Sequence, residues 1–476
     1  MNTINIRQIM TNGSLFVVIN LKYNICYCLF IIKNNFIIGK NMEKLSDSLF
    51  LYRNDEKQIA YLYDLNSSKQ YKLPYSKSKD LDQKSIHTIN KLVTEPKERT
   101  TTKLEHLRLV LTNKCNLKCI YCYANGGSYN QDILDMNLDT IINTVNYFYD
   151  KFTWIHQISF FGGEPLIKID LIEKACEYIL DFCEKNNRKL PIFSMVTNGV
   201  LLNGKAIEII KKYNIAINVS LDGPKEFNDR QRKFVGKNES VFDVVDKNIK
   251  QLRKEKKFSI ESTCSNKIND FDFKFDYIQE FFRNRYSIER VNVSAAVIVN
   301  DVDESLDLQG EKKEERYLRT IVERFFNKQG EKYVFNDVII RLLNTYFSNY
   351  YCASFCDAGI TQFTISMNGD IYPCQVFLTN KENSLGNVNE FNYKKLEDFK
   401  ENNKKSFSKC VKCGYKRYCQ TCLCKRSEIE FNDNYCQEVK KGTRLFLKNM
   451  FDLKVNDEAE YDKLLKEYKK FYEDIM

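Results

Sequence analysis

The chain has 476 residues, 43% of them hydrophobic and 29% charged, enough for two or three soluble domains. Its three histidines, His87, His106 and His156, fall in no HxxxH or HExxH spacing, which excludes a histidine-built metal site and leaves little for a Ser-His-Asp triad. The net charge of +10 comes from Lys and Arg interleaved with Asp and Glu, so no nucleic-acid-binding face is expected, and 17 cysteines in ligand-like clusters point to metal binding in a reducing cytoplasm rather than to a disulfide scaffold.

Residues 1–41 stand apart. Leu15 to Ile38 is apolar but broken by Asn20, Lys22, Asn24, Lys33, Asn34 and Asn35. That falls short of the ~20 uninterrupted apolar residues of a spanning helix. The ordered regions of a signal peptide are also missing. The segment reads as an upstream extension or, alternatively, as a β-rich element, and no membrane role is expected. Cys26 and Cys28 within it receive no role.

Residues 42–100 read as a small α+β module. Strands are expected at Phe50–Tyr52, Ile59–Leu65 and Gln70–Leu73, with a helix near Ser85–Val93 and a linker from Pro96 to Thr102. From 101 to 300 strands and helices alternate. The strands are Leu107–Leu111, Ile158–Phe161, Ile192–Val196, Ile215–Val219, Phe258–Thr263 and Val291–Val297. The helices include Leu138–Phe152, Ile169–Lys185, Ala206–Lys212 and Val241–Leu252, the last two capped by Asn203 and Ser240. This predicts an α/β fold with parallel strands, as a barrel or a doubly wound sheet. Residues 301–350 form a charged helical bridge, 351–440 a Cys-rich region full of turns, and 441–476 a helical tail.

Directly after the first strand comes Asn-Lys-Cys-Asn-Leu-Lys-Cys-Ile-Tyr-Cys-Tyr, which places Cys115, Cys119 and Cys122 in a CX3CX2C spacing. Active-site groups of βα barrels gather at such strand ends. Three thiolates can hold three irons of a four-iron, four-sulfur (4Fe–4S) cluster and leave the fourth open to a small molecule. Zinc binding or burial is the plainer alternative.

The second strand ends in Gly162-Gly163-Glu164-Pro165. The glycines permit close backbone approach to a ligand, and Glu164 can accept a hydrogen bond from an ammonium group. The third ends in Thr197-Asn198-Gly199, and the fourth in Ser220-Leu221-Asp222-Gly223-Pro224, with Arg232 twelve residues past Ser220. Asp222 suits a ligand contact or a cap on the Gly-Pro turn. The C-terminal region carries Cys352, Cys356, Cys374, Cys410, Cys413, Cys419, Cys422, Cys424 and Cys436. A zinc ribbon is the alternative to iron there. Cys176, Cys183 and Cys264 read as core residues.

These motifs resemble the radical S-adenosylmethionine (SAM) superfamily with a C-terminal SPASM domain, over about residues 105–440. The resemblance implies an open (β/α)6 partial barrel. It implies that the open iron holds SAM, that Glu164 of the GGEP motif (Gly162, Gly163, Glu164, Pro165) meets its amino group, and that Ser220 and Arg232 contact it, Arg232 pairing with its carboxylate. It sets Tyr121 near the adenine. Relatives often carry His where this chain has Asn228. The SPASM pattern is matched by Cys356, Gly369, Cys374, Cys410, Cys413, Cys419 and Cys436, but Leu423 stands where a cysteine belongs. Cys424 is preferred over Cys422 as its substitute. By the same resemblance Cys356, Cys374 and Cys424, with Cys352 a further candidate, hold one auxiliary cluster. Cys410, Cys413, Cys419 and Cys436 hold another, which makes three 4Fe–4S clusters in all.

Within the family, the texture resembles clostridial maturases that install thioether cross-links in Cys-rich ribosomal peptides. That implies a Cys-rich precursor peptide as partner, with its leader held by the N-terminal module, and a flavodoxin- or ferredoxin-type reductant. In the thioether mechanism a peptide thiolate bonds to a carbon radical and an auxiliary cluster takes the second electron. Anaerobic sulfatase maturases, which make formylglycine, carry an Asp base after the cysteine matched by Cys374; here Gln375 stands there. A non-catalytic iron–sulfur carrier is the remaining alternative, and it needs no SAM-binding motif.

Overall fold

The computed structural model describes residues 5–11, 14–20, 41–92, 102–264, 271–288, 291–295, 311–327, 333, 335–347, 357–406, 408–419 and 433–473. An antiparallel hairpin, Asn5–Thr11 (β1) with Ser14–Asn20 (β2), comes first. Met42–Lys44 (β3), Leu49–Asn54 (β4), Ile59–Asp64 (β5) and Lys69–Leu73 (β6) then form a four-stranded antiparallel sheet in that order. β3 is additional to the three strands expected, since three residues are too short to show a period-2 pattern.

Both faces of this sheet are covered. Leu49, Leu51, Ala60 and Leu62 pack with Tyr75 on one side. On the other, Phe50, Tyr52 and Tyr63 enter a larger core with the helices Glu311–Asn327, Asp337–Phe347 and Asp433–Asn456. Tyr52 stacks on Phe451 at 5.3 Å and donates to Asp452 at 2.8 Å; Tyr63 stacks on Tyr346 at 5.7 Å. Segments that read as three separate parts of the chain therefore share one apolar core.

The main sheet contains Lys103–Thr112 (β7), Trp154–Gly162 (β8), Ile192–Thr197 (β9), Ala216–Ser220 (β10), Ser259–Cys264 (β11) and Val291–Ala295 (β12). All neighbouring pairs among them are parallel, and their spatial order follows the chain order. A doubly wound sheet reverses order at a switch point; this sheet does not, so the open (β/α)6 barrel is the architecture. Two more strands extend it beyond β7: Gln362–Ile365 (β13), parallel to β7, and Ile371–Tyr372 (β14), antiparallel to β13.

The connecting helices form for local reasons. Ile169–Lys185 buries Ile172, Ala175, Cys176, Ile179 and Cys183, a stripe at helical spacing. Side chains of Asn137, Asn203 and Ser240 accept from backbone N–H groups at three helix starts, each worth ~1 kcal/mol. The helices cover the sheet face bearing Leu107, Leu109, Ile158, Phe160, Ile217 and Val219. The opposite face lines the barrel interior. Among the described residues no helix is long and apolar enough to cross a membrane.

Candidate functional site

The loop after β7 carries Cys115, Cys119 and Cys122, all half-buried. Backbone contacts fix it from two sides. On one, Gly163 N donates to Thr112 O and Glu164 N to Lys114 O, both at 2.8 Å. On the other, Lys118 N donates to Lys233 O at 2.7 Å and Ile120 N to Gln231 O at 2.9 Å. The glycines of the GGEP turn serve this clamp. A Cβ on Gly162 would lie 2.2 Å from Thr112 O, and one on Gly163 2.2 Å from Lys114 O. The backbone they approach closely is thus the cysteine loop itself.

Burial pushes the Cys115 thiol up to about 12 and the Cys119 thiol up to about 11. Cys115 also feels Cys119 and Cys122, and Cys119 feels Cys122. Bare thiolates are costly there, and ligation to a metal would supply the compensation. Among the described residues no three His, Cys, Asp or Glu side chains close around a single ion. A four-iron cluster spreads its thiolates wider than one ion does, and the three free, half-buried thiols of the CX3CX2C loop fit it.

Glu164 lies completely buried behind the loop. Its carboxylate accepts from Thr197 Oγ1 at 2.7 Å, Asn198 N at 2.8 Å and Leu166 N at 3.0 Å. Burial raises its pKa to about 7, and these hydrogen bonds limit the rise. A carboxylate offers about four lone-pair positions, so room for one more donor remains. Asn198 also donates to Asn116 Oδ1 at 2.7 Å and points Nδ2 at Cys115 Sγ, 3.8 Å away. The strand-end position of Thr197-Asn198-Gly199 was the signal for these residues.

Asp222 is neither a turn cap nor open to a ligand. Its buried carboxylate accepts from Tyr121 Oη at 2.9 and 3.0 Å, Arg232 Nη2 at 3.0 Å, Gln231 Nε2 at 3.1 Å and Thr263 N at 3.1 Å. Arg232 lies over the Tyr121 ring at 5.5 Å and keeps a buried Nε without a partner. Asn228 supports the turn instead, accepting from Asp222 N at 3.2 Å. Ser220 ends β10 on the inner face, in register with Glu261. Cys176 and Cys183 are buried core residues, as expected.

In the C-terminal region Cys374 and Cys410 share a small packed cluster with Ala358, while Cys413 packs against the core of the N-terminal sheet. Cys413 N donates to Cys410 O and Cys419 N to Tyr415 O, both at 3.0 Å. Cys436 lies in the first turn of Asp433–Asn456. Cys352, Cys356, Cys422 and Cys424 lie outside the described residues.

Three thiols at the mouth of an open parallel barrel, a buried carboxylate and a buried guanidinium define the site class: an iron–sulfur enzyme that binds SAM. The radical SAM superfamily model matches residues 109–275, and the iron–sulfur cluster-binding SPASM domain matches residues 356–422. An uncharacterized protein of Methanocaldococcus jannaschii is 33% identical over 299 residues, 62% of this chain and 93% of that protein. The cysteine-type anaerobic sulfatase-maturating enzyme of Clostridium novyi is 26% identical over 367 residues, 72% of this chain and 94% of its own. Two solved structures share the fold. AdoMet-bound anSMEcpe covers 76% of this chain and 98% of its own with TM-score 0.61 and 20% identity. Streptococcus suis SuiB bound to precursor peptide SuiA covers 84% and 100% with TM-score 0.50 and 18% identity. The chain belongs to the radical SAM superfamily and is an enzyme of its SPASM group.

Proposed function

We propose that this enzyme matures a Cys-rich precursor peptide by installing thioether cross-links. Cys115, Cys119 and Cys122 hold the SAM-binding cluster. Glu164 takes the SAM amino group, Arg232 and Ser220 its carboxylate, and Tyr121 borders the adenine, while Gly162, Gly163 and Pro165 shape the turn. Cys356, Cys374 and Cys424 hold one auxiliary cluster, and Cys410, Cys413, Cys419 and Cys436 another, making three. Bound SAM and auxiliary iron–sulfur supply two oxidising equivalents, which matches a reaction joining a C–H carbon to a thiol sulfur with loss of both hydrogens. The chain places the C–H bond near the 5′ carbon and keeps water out. A flavodoxin- or ferredoxin-type reductant delivers the starting electron.

The observation that carries the choice of reaction is at Gln375. It follows Cys374, and its Oε1 accepts a hydrogen bond from Arg108 Nη1. A carboxamide cannot take a proton at neutral pH, so the base expected for formylglycine formation is missing from that position. The likeness of SuiB, whose structure holds a precursor peptide, supports a peptide partner. The outer strand β6 is mostly exposed and pairs with β5 alone among the described residues, which suits an extended leader adding at its edge. Formylglycine formation is the second reading, favoured by the likeness to the Clostridium novyi enzyme over 72% of this chain.

Mass spectrometry of a Cys-rich peptide encoded beside the gene separates them, after turnover with SAM and dithionite under anaerobic conditions. A thioether product loses two hydrogens, keeps its sulfur and resists thiol alkylation. A formylglycine product loses its sulfur and gains a carbonyl that reacts with hydrazides, which overturns the proposal.

A further inference from the structure

At mid-height the inner face of the barrel sheet is polar. Strand register places Arg108 beside Ser159 on β8 and Thr364 on β13, and the same face carries His106, Gln157, Ser194, Asn218 and Glu261. Barrel interiors that serve packing are filled by branched apolar side chains. This one is furnished to hold something polar.

Arg108 is the cation at its centre; the side chains it touches are neutral, while Cys374 and Glu261 act on it electrostatically. Nη1 donates to Gln375 Oε1, Nη2 lies 3.4 Å from His106 Nδ1, and the guanidinium sits 5.3 Å from the Phe161 ring centroid. Burial holds His106 down at about 3, so it is an uncharged imidazole at neutral pH. Glu261, the carboxylate that Arg108 feels, is four strands away and already accepts from Asn218 at 2.9 Å. Around Arg108 several buried polar atoms lack a hydrogen bond among the described residues: its own Nε, His106 Nε2 and Thr364 Oγ1, while the hydroxyls of Tyr123 and Tyr129, whose rings meet edge-on at 6.1 Å, are turned toward each other. Such groups normally have partners. A cation set among spare donors is arranged for an anion rich in acceptors. The place is also apt, because Tyr123 feels both Cys122 of the SAM site and Cys374 of the auxiliary region.

We propose that Arg108, with Tyr123 and Tyr129 beside it, anchors a carboxylate of the substrate inside the barrel. This rests on the peptide reading above. The carboxylate belongs to an Asp or Glu side chain near the modified residue, or to the peptide's own C-terminus. The planar fork of arginine suits a carboxylate in a way that lysine does not.

The test uses a pooled synthetic library of Cys-containing peptides, made once with free and once with amidated C-termini. It is passed over anaerobically reconstituted wild-type, R108Q and R108K protein with SAM, and retained peptides are identified by mass spectrometry. Wild type should enrich Asp- and Glu-containing peptides in both pools if the anchor takes a side chain, or peptides of the free-acid pool alone if it takes the terminus. R108Q should lose that enrichment roughly tenfold to a hundredfold, the cost of one charged hydrogen-bonding partner, and R108K should keep part of it. Retention by wild type without acidic bias, or a bias that R108Q preserves, overturns the proposal. The wild-type arm decides this even where R108Q fails to fold, which circular dichroism and iron content report. Should none of the three proteins retain any peptide, the peptide reading itself falls, and the anchor with it.

Discussion

Arg232 and Asp222 form a buried ion pair, Nη2 to Oδ1 at 3.0 Å, with 7% and 0% of their side chains exposed. Ile120 N bonds Gln231 O and Lys118 N bonds Lys233 O, which sets the 231–234 segment alongside the cysteine loop. Asp222 thereby orients both Arg232 and Tyr121. Asp222→Asn removes the charge that holds them. SAM affinity, measured by equilibrium binding, should fall roughly tenfold to a hundredfold, the range for losing a hydrogen-bonded charge, while iron content stays the same. Unchanged affinity would detach Asp222 from the site.

Glu164 gives a pH dependence. Burial first, tempered by its three hydrogen bonds, sets its pKa at about 7. In the proposed site the SAM ammonium pairs with the ionised carboxylate, so affinity should be full above pH 7 and decline as the group protonates below it. Titrating binding across this range checks the sign. In Glu164→Gln the same titration should be flat and the affinity lower at every pH. An unaltered profile in the variant removes Glu164 from its assigned place.

Much of the barrel was legible in the chain. Apolar runs such as Leu107–Leu111 mark strands buried on one face, and Ile172, Cys176, Ile179 and Cys183 mark one helix stripe. The cysteine spacing and the GGEP turn were likewise local. Contacts between distant segments were not. β13 is four residues long and joins β7 from about 250 residues away, a pairing no local period encodes. The ion pair of Asp222 with Arg232 depends on a loop contact, and the neutral surroundings of Arg108 depend on Gln375 arriving from another domain. The glycines of the GGEP turn were legible as glycines, but their neighbour proved to be the cysteine loop.

The loop that carries Cys413 and Cys419 is held by the N-terminal module. A Cβ on Gly414 would lie 2.0 Å from Asp47 O, and Arg417 Nη1 donates to Ser68 Oγ at 2.7 Å and Asn66 O at 3.1 Å. Gly414→Ala should push this loop off the sheet at a cost of about 2 kcal/mol, as overpacking does. Auxiliary iron should drop with it, while SAM-dependent nucleoside formation persists. Wild-type iron content and melting behaviour in the variant would contradict that coupling.

Replacing Cys115, Cys119 and Cys122 together with Ala should leave about two thirds of the iron, the share expected for two of three four-iron clusters. 5′-Deoxyadenosine should then be undetectable. Nucleoside produced by this variant would sink the assignment of the SAM site.

In the proposed reaction the radical acts on a peptide. The most direct measurement is deuterium transfer from a side-chain-deuterated Cys-rich peptide, encoded beside the gene, into 5′-deoxyadenosine during anaerobic turnover. Deuterium in the nucleoside, alongside a cross-linked peptide, is the result predicted. Nucleoside formed without label, and a peptide recovered unaltered, would contradict the account.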